Sequence, residues 1–171
     1  MILRLFTCIM IMAPAASALA RPVALLPYDR LFKEADVVVI AAAQDTIDTD
    51  AHPDYTGWAP YLVGQRTTFK IDCVVKGTPP PDGTLTLNHF RFKDGGIRPP
   101  DGPMLVVFRT KPVVIRGDGN TTADMPVGTP RYLLFLKRTE DGTLEPIAGE
   151  DDPALSVKEI YPPLPSEIER K

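Results

Sequence analysis

The side chains able to do chemistry in this chain are few. Two histidines, His52 and His89, and two cysteines, Cys8 and Cys73, stand among 171 residues. His52 lies in a run of carboxylates, where Asp48, Asp50, His52 and Asp54 alternate as the oxygen ligands of a calcium loop do. Pro53 stands where an EF-hand turn needs glycine, and Ala59 where it needs the bidentate glutamate. These four residues therefore read as a weak oxygen-ligand metal site in a solvated acidic loop. The stretch that follows, with Tyr55, Trp58 and Tyr61 among Gly and Pro, offers aromatic area at low entropic cost and reads as a recognition surface. His89 sits beside Asn88 and Arg91, where the apolar parity of a strand breaks. A β-bulge there would re-aim His89 and Arg91 toward a ligand.

Nucleophilic catalysis finds no support. Ser156 and Ser166 lie outside any G-x-S-x-G or S-x-x-K pattern. Cys73 alternates with Phe69 and Ile71 on an apolar face, so it is expected to be buried, with a raised pKa that disfavours thiolate. Arg116-Gly117-Asp118 is a turn tripeptide of the kind that chance supplies. No cofactor motif is present.

The elements that must position these residues are short. Asp29 to Ala35 reads as one or two helical turns with Asp29 as N-cap. Residues 36–43 and 131–137 are apolar on both parities, as strands covered on both faces are. Residues 67–76 alternate cleanly, Phe69, Ile71, Cys73 and Val75 against Thr68, Lys70 and Asp72. Residues 84–92 form the next strand, and 104–108 and 113–115 are two short apolar runs split by Pro112. Glu140-Asp141-Gly142 turns into 144–147, where Pro146 marks an edge. Asp152-Pro153 opens a predicted terminal helix with Ala154, Val157, Ile160 and Tyr161 as its apolar stripe.

Composition sets the context. Arg4, the apolar run Leu5 to Met12 and Ala18-Leu19-Ala20 have the layout of a secretory signal peptide, with cleavage expected after Ala20 or after Ala18. Residues 21–171 would then be one exported domain, periplasmic or secreted, with a core over about 29–160. Without Arg4 that chain carries 18 cations against 22 anions, a balance that argues against nucleic acid. No stretch of the mature chain is long enough to span a bilayer. One remaining cysteine makes no intrachain disulfide, so the fold must rest on its core.

The run 35–41, then 69–77, 132–138, Asp141-Gly142, Gly149 and 152–157 resembles a class of uncharacterised exported bacterial proteins. Their pattern is similar to the OB-fold domain of the netrin module and the tissue inhibitors of metalloproteinases. The resemblance implies a mainly β fold, a five-stranded Greek-key barrel with a short helix near each end. In the inhibitors, an N-terminal disulfide-bonded cysteine presents its amine and carbonyl to zinc. Here Arg21 stands at the expected mature start with no cysteine near it, so that mechanism does not carry over. The expected function is non-catalytic binding of a protein or extracellular ligand by a monomer. An enzyme-inhibitor-like module is its sharper form. A metal-dependent hydrolase and a structural domain of an envelope assembly are the rivals.

Overall fold

A computed structural model describes residues 25–51, 57–98, 101–115, 125–149 and 152–160. The fold is mainly β. A helix, α1 (Tyr28–Glu34), leads into β1 (Val37–Thr49), β2 (Leu62–Lys76) and β3 (Thr84–Phe92). Then follow β4 (Val113–Ile115), β5 (Met125–Gly128), β6 (Arg131–Arg138), β7 (Leu144–Pro146) and β8 (Val157–Ile160). Six of these strands form one antiparallel sheet in the order β3-β2-β1-β6-β7, with β8 also on β6. β4 and β5 pair separately.

The sheet curls but does not close. Its edge strands β3 and β7 come near one another without pairing. Three register shifts along β1 and β2, at Val38/Val39, Ile40/Ala41 and Ala43/Asp45, supply the curl. Gly77 ends β2 at φ 79°, and a Cβ there would lie 1.9 Å from the carbonyl oxygen of Asp36, so glycine is required.

The two-sided apolar runs are covered on both faces. Val37, Val39, Ala41 and Ala43 of β1 join Tyr132, Leu134 and Leu136 of β6 in the main core, with Phe69, Leu85 and Leu87. On the opposite face Val38 and Phe135 meet Leu31 and Ala35 of the α1 segment. Lys76 anchors that helix from the end of β2. Its ammonium donates to the carbonyls of Phe32, Lys33 and Ala35 at 2.7, 3.2 and 2.6 Å, satisfying groups a helix C-terminus leaves open.

Several sequence expectations are corrected. The terminal helix is absent: Pro153–Leu155 makes one 3₁₀ turn and Val157–Ile160 is a strand on β6. β-branched Val157 and Ile160 suit a ladder, and Asp152 accepts from the Met104 N–H at 2.9 Å instead of capping a helix. Asp29 lies in the first turn of α1, with Pro27 as N-cap. Cys73 is exposed. β3 pairs β2 only as far as Lys70, so the last residues of β2 extend past the cover that a third strand provides. The ladder between β2 and β3 runs without a shift, so no bulge exists at His89. Residues 45–49 continue β1 and are not a loop. Residues 104–108 form no strand.

That last segment nonetheless completes the core. It crosses the sheet as a strap and drops Phe108 onto the inner face. Phe108 stands edge-on to Phe69, His89 and Tyr132 at centroid distances of 4.8, 4.9 and 5.0 Å. The strap is tied at both ends. Met104 bonds Asp152 and Ala154, and the Arg109 N–H donates to the Tyr132 hydroxyl at 2.7 Å. Phe108→Ala should therefore cost about 3–5 kcal/mol in urea unfolding, while Val107→Ala beside it should stay within about 0.5 kcal/mol. Equal effects would show that the strap does not plug the core.

Candidate functional site

The inner face of β1–β3 changes chemistry along its length. Residues opposite one another across an antiparallel ladder share a face. Phe69 and Leu85 are partners, and two residues further on each strand come Thr67 and Leu87, then Gln65 and His89, then Val63 and Arg91. On β1, Thr46 stands opposite Thr67 and Asp48 opposite Gln65. An aromatic floor thus passes into a buried polar layer and then a charged rim.

The buried layer is a three-residue chain. Thr46 Oγ1 and Thr67 Oγ1 are 2.7 Å apart, and Thr67 Oγ1 lies 2.8 Å from His89 Nε2. Thr67 and His89 are 0% and 2% exposed. His89 Nδ1 is buried without a hydrogen-bond partner. Burial in this apolar setting disfavours the imidazolium and pulls the pKa down to about 4. His89 is a neutral core histidine, inward by ordinary alternation after Leu85 and Leu87.

The rim is charged and half-exposed. Arg91 grips Asp48 with two nitrogens, Nη2 to Oδ2 at 2.8 Å and Nε to Oδ1 at 3.2 Å. Gln65 Nε2 donates to the same Oδ1 at 2.9 Å, and Asp94 lies 3.3 Å from Arg91 Nη1. The hydrogen bonds from Arg91 and Gln65 hold the Asp48 carboxyl down at about 2. Both Asp48 oxygens are thereby engaged by protein donors. Asp50 is exposed, and His52, Asp54 and Tyr55 lie outside the described residues. Among the described residues no cluster of His, Cys, Asp or Glu is arranged to hold a metal.

The aromatic turn lies next to this rim. Ala59–Tyr61 is a 3₁₀ turn leading into β2, with the half-buried rings of Trp58 and Tyr61 6.4 Å apart. Gly64 lets the chain pass close: a Cβ there would meet the Ala51 carbonyl oxygen at 2.6 Å. Lys93, just after β3, ties down the turn. Its N–H donates to the Tyr61 carbonyl at 2.9 Å and its ammonium to that of Pro60 at 2.7 Å. Arg98 stacks over Phe92 at 5.7 Å. The structure therefore joins Trp58 and Tyr61 to the loop after β3, and Arg91 to Asp48. It separates His89 from them, in the layer beneath.

Two surface clefts involve other residues. One of about 350 Å³ lies between the sheet edges, lined by Arg66, Thr86, Asn88, Thr143, Leu144 and Glu145. Another, of about 400 Å³, includes Gln44, Lys70, Thr110 and the Asp72–Arg131 ion pair. Thr46, Thr67 and Gln65 were not legible as a layer. Their one signal is that Thr67 and Gln65 continue the parity of Phe69 with polar side chains.

Comparison with protein-family models, with curated proteins and with solved structures finds no match to this chain. Among the described residues no helix is long and apolar enough to cross a membrane.

The buried imidazole sets a pH dependence. His89 titrates near 6.5 when unfolded and at about 4 when folded, so the unfolded state takes up the proton first. Stability is full above pH ~6.5 and falls by roughly 3 kcal/mol as pH drops to ~4. Asp48, held at about 2 against an ordinary 3.8, loses its contribution only below that window. Urea unfolding at stepped pH should show the decline in wild type and a flat profile in His89→Leu. A flat wild-type profile would place His89 in water.

Proposed function

We propose that this chain is a non-catalytic binding domain, exported from the cytoplasm, that recognises a protein partner in the envelope or outside the cell. One observation carries the reading. The two loops expected to make contact, after β1 and after β3, emerge at the same end of the sheet and are fastened together by Lys93 on Tyr61 and Pro60. Binding loops work best when a rigid scaffold positions them. Here the scaffold is three paired strands braced by the Asp48–Arg91 ion pair.

The chemistry at this end favours recognition over catalysis. Half-exposed Trp58 and Tyr61 supply contact area beside a carboxylate, a guanidinium and an amide already held in geometry. The one described histidine is neutral and sealed under Phe108, out of reach of a substrate at the rim. The N-terminal segment Met1 to Ala20 supports export. For the fold we propose an OB-like barrel left partly open, a reading supported by the strand order and by the approach of β3 to β7.

The test is affinity capture. Purified protein is immobilised and exposed to envelope and secreted fractions of its own organism. One protein should remain through a high-salt wash at near-stoichiometric amount. Trp58→Ala and Tyr61→Ala should each weaken its binding about tenfold or more, with melting temperatures close to wild type. Retention unchanged in both variants would remove this surface from consideration.

A further inference from the structure

The outer face of the sheet holds a cleft where three neighbouring strands meet. On β1 the inner core takes Val39, Ala41 and Ala43, so Ala42 points to the outer face. Its ladder partner on β2 is Lys70. Tyr132 of β6 stands opposite Ala41, which places Arg131 beside Ala42 one step further along. A row Lys70–Ala42–Arg131 therefore crosses the sheet, with the two cations about 10 Å apart at Cβ. The small side chain between them belongs to the floor of a cleft of about 400 Å³. Thr110, just past the strap, and Thr129, in the turn before β6, contribute to its walls.

Charge in this cleft is unbalanced. Its titratable side chains are Lys70, Asp72 and Arg131. Asp72 is already engaged, reaching across β1 to pair with Nε of Arg131. Arg131 Nη1 donates to the Thr129 carbonyl at 3.1 Å, and Nη2 has no partner among the described residues. The Lys70 ammonium is exposed, with neither ion pair nor hydrogen bond among the described residues. Arg109 and Lys111, on either side of Thr110, are exposed and likewise without ion pairs there. Asp45, the next carboxylate on this face of β1, stands opposite Thr68 and does not line the cleft.

We propose that this cleft binds a phosphate group, held between the Lys70 ammonium and the Arg131 guanidinium with the hydroxyls of Thr110 and Thr129 beside it. Lysine meets phosphate as a point charge and arginine as a fork of donors. A tetrahedral oxoanion presents acceptor oxygens in several directions at once, which suits donors converging from β2, β6 and the chain after the strap. A planar carboxylate suits a fork from one side. The volume is that of a small-molecule pocket, so a phosphomonoester of a small sugar fits the cleft better than free phosphate. The site shares no residue with the rim of Asp48, Gln65 and Arg91, nor with Trp58 and Tyr61, and stands or falls separately from them.

Isothermal titration of the purified protein in phosphate-free buffer, with glucose 6-phosphate, inorganic phosphate and glucose as probes, tests the proposal. Glucose 6-phosphate should bind with a dissociation constant below about 1 mM, and glucose should not bind. Weaker binding of inorganic phosphate would identify the monoester as the occupant, and equal binding the free anion. Lys70→Gln should weaken binding about tenfold. Asp72→Asn should tighten it about threefold, because it releases Arg131 from its carboxylate. Arg66→Gln, an equal loss of charge outside the cleft, should leave it unchanged. Lys70→Gln and Arg66→Gln, both at exposed positions, should keep the wild-type melting temperature. No binding of either phosphate probe at that concentration overturns the proposal. So does glucose binding as well as its phosphate, an equal loss in Lys70→Gln and Arg66→Gln, no loss in Lys70→Gln, or no tightening in Asp72→Asn.

Discussion

Everything in this molecule depends on covering the inner face of a sheet that curls without closing. Six strands present Phe69, Leu85, Leu87, Tyr132, Leu134 and Leu136 to one side. β3 and β7 do not pair with each other, so no ladder among the described residues closes that side. Phe108 does so from outside the sheet, edge-on to three rings at once. Such contacts add about 0.5–1.5 kcal/mol per aromatic pair beyond the burial of the ring itself. The strap that carries Phe108 is consequently pinned at both ends, by Asp152 and by Tyr132.

The same requirement decides where polarity is allowed. Beneath Phe108 the sheet is apolar apart from the ring of His89. One step along, Thr67 and His89 are buried and bonded to each other, with half-buried Thr46 bonded to Thr67, since a buried polar group without a partner is costly. One step further, Asp48, Gln65 and Arg91 reach water and carry charge. The neutral imidazole belongs to the middle layer, which is why its burial, and not a neighbouring charge, governs its protonation.

Lysine and carboxylate side chains do much of the joining between elements distant in sequence. Lys76 holds the carbonyls at the end of α1, Lys93 those of the aromatic turn, and Asp36 accepts from the Arg138 N–H at 2.7 Å. These bonds meet backbone groups that secondary structure leaves open. At the rim they hold the turn at 59–61 against the residue that follows β3.

Much of this was legible in residue order. The two-sided apolar runs at 36–43 and 131–137 marked the central strands, because only strands covered on both faces read that way. The alternation read over 67–76 holds for Phe69 and Ile71 on the inner face of β2 and fails for Cys73 and Val75, which are exposed, and the lack of a paired cysteine set the burden on packing. Trp58, Tyr61 and Arg91 stood out by residue type alone, whereas the contacts that tie Tyr61 to Lys93 and Arg91 to Asp48 did not. What residue order could not contain was the partner of each residue. Parity at Asn88-His89 suggests a bulge, whereas the ladder runs straight, with Phe90 buried on the opposite face. Cys73 has the alternation of a core residue but lies beyond the last residue of β2 that β3 covers. Val157 to Ile160 has a helical stripe, yet β6 offers it a free edge. Local pattern determines which faces a segment can bury. Which face is buried depends on which other segment arrives there, and that is a property of contacts between residues far apart in the chain.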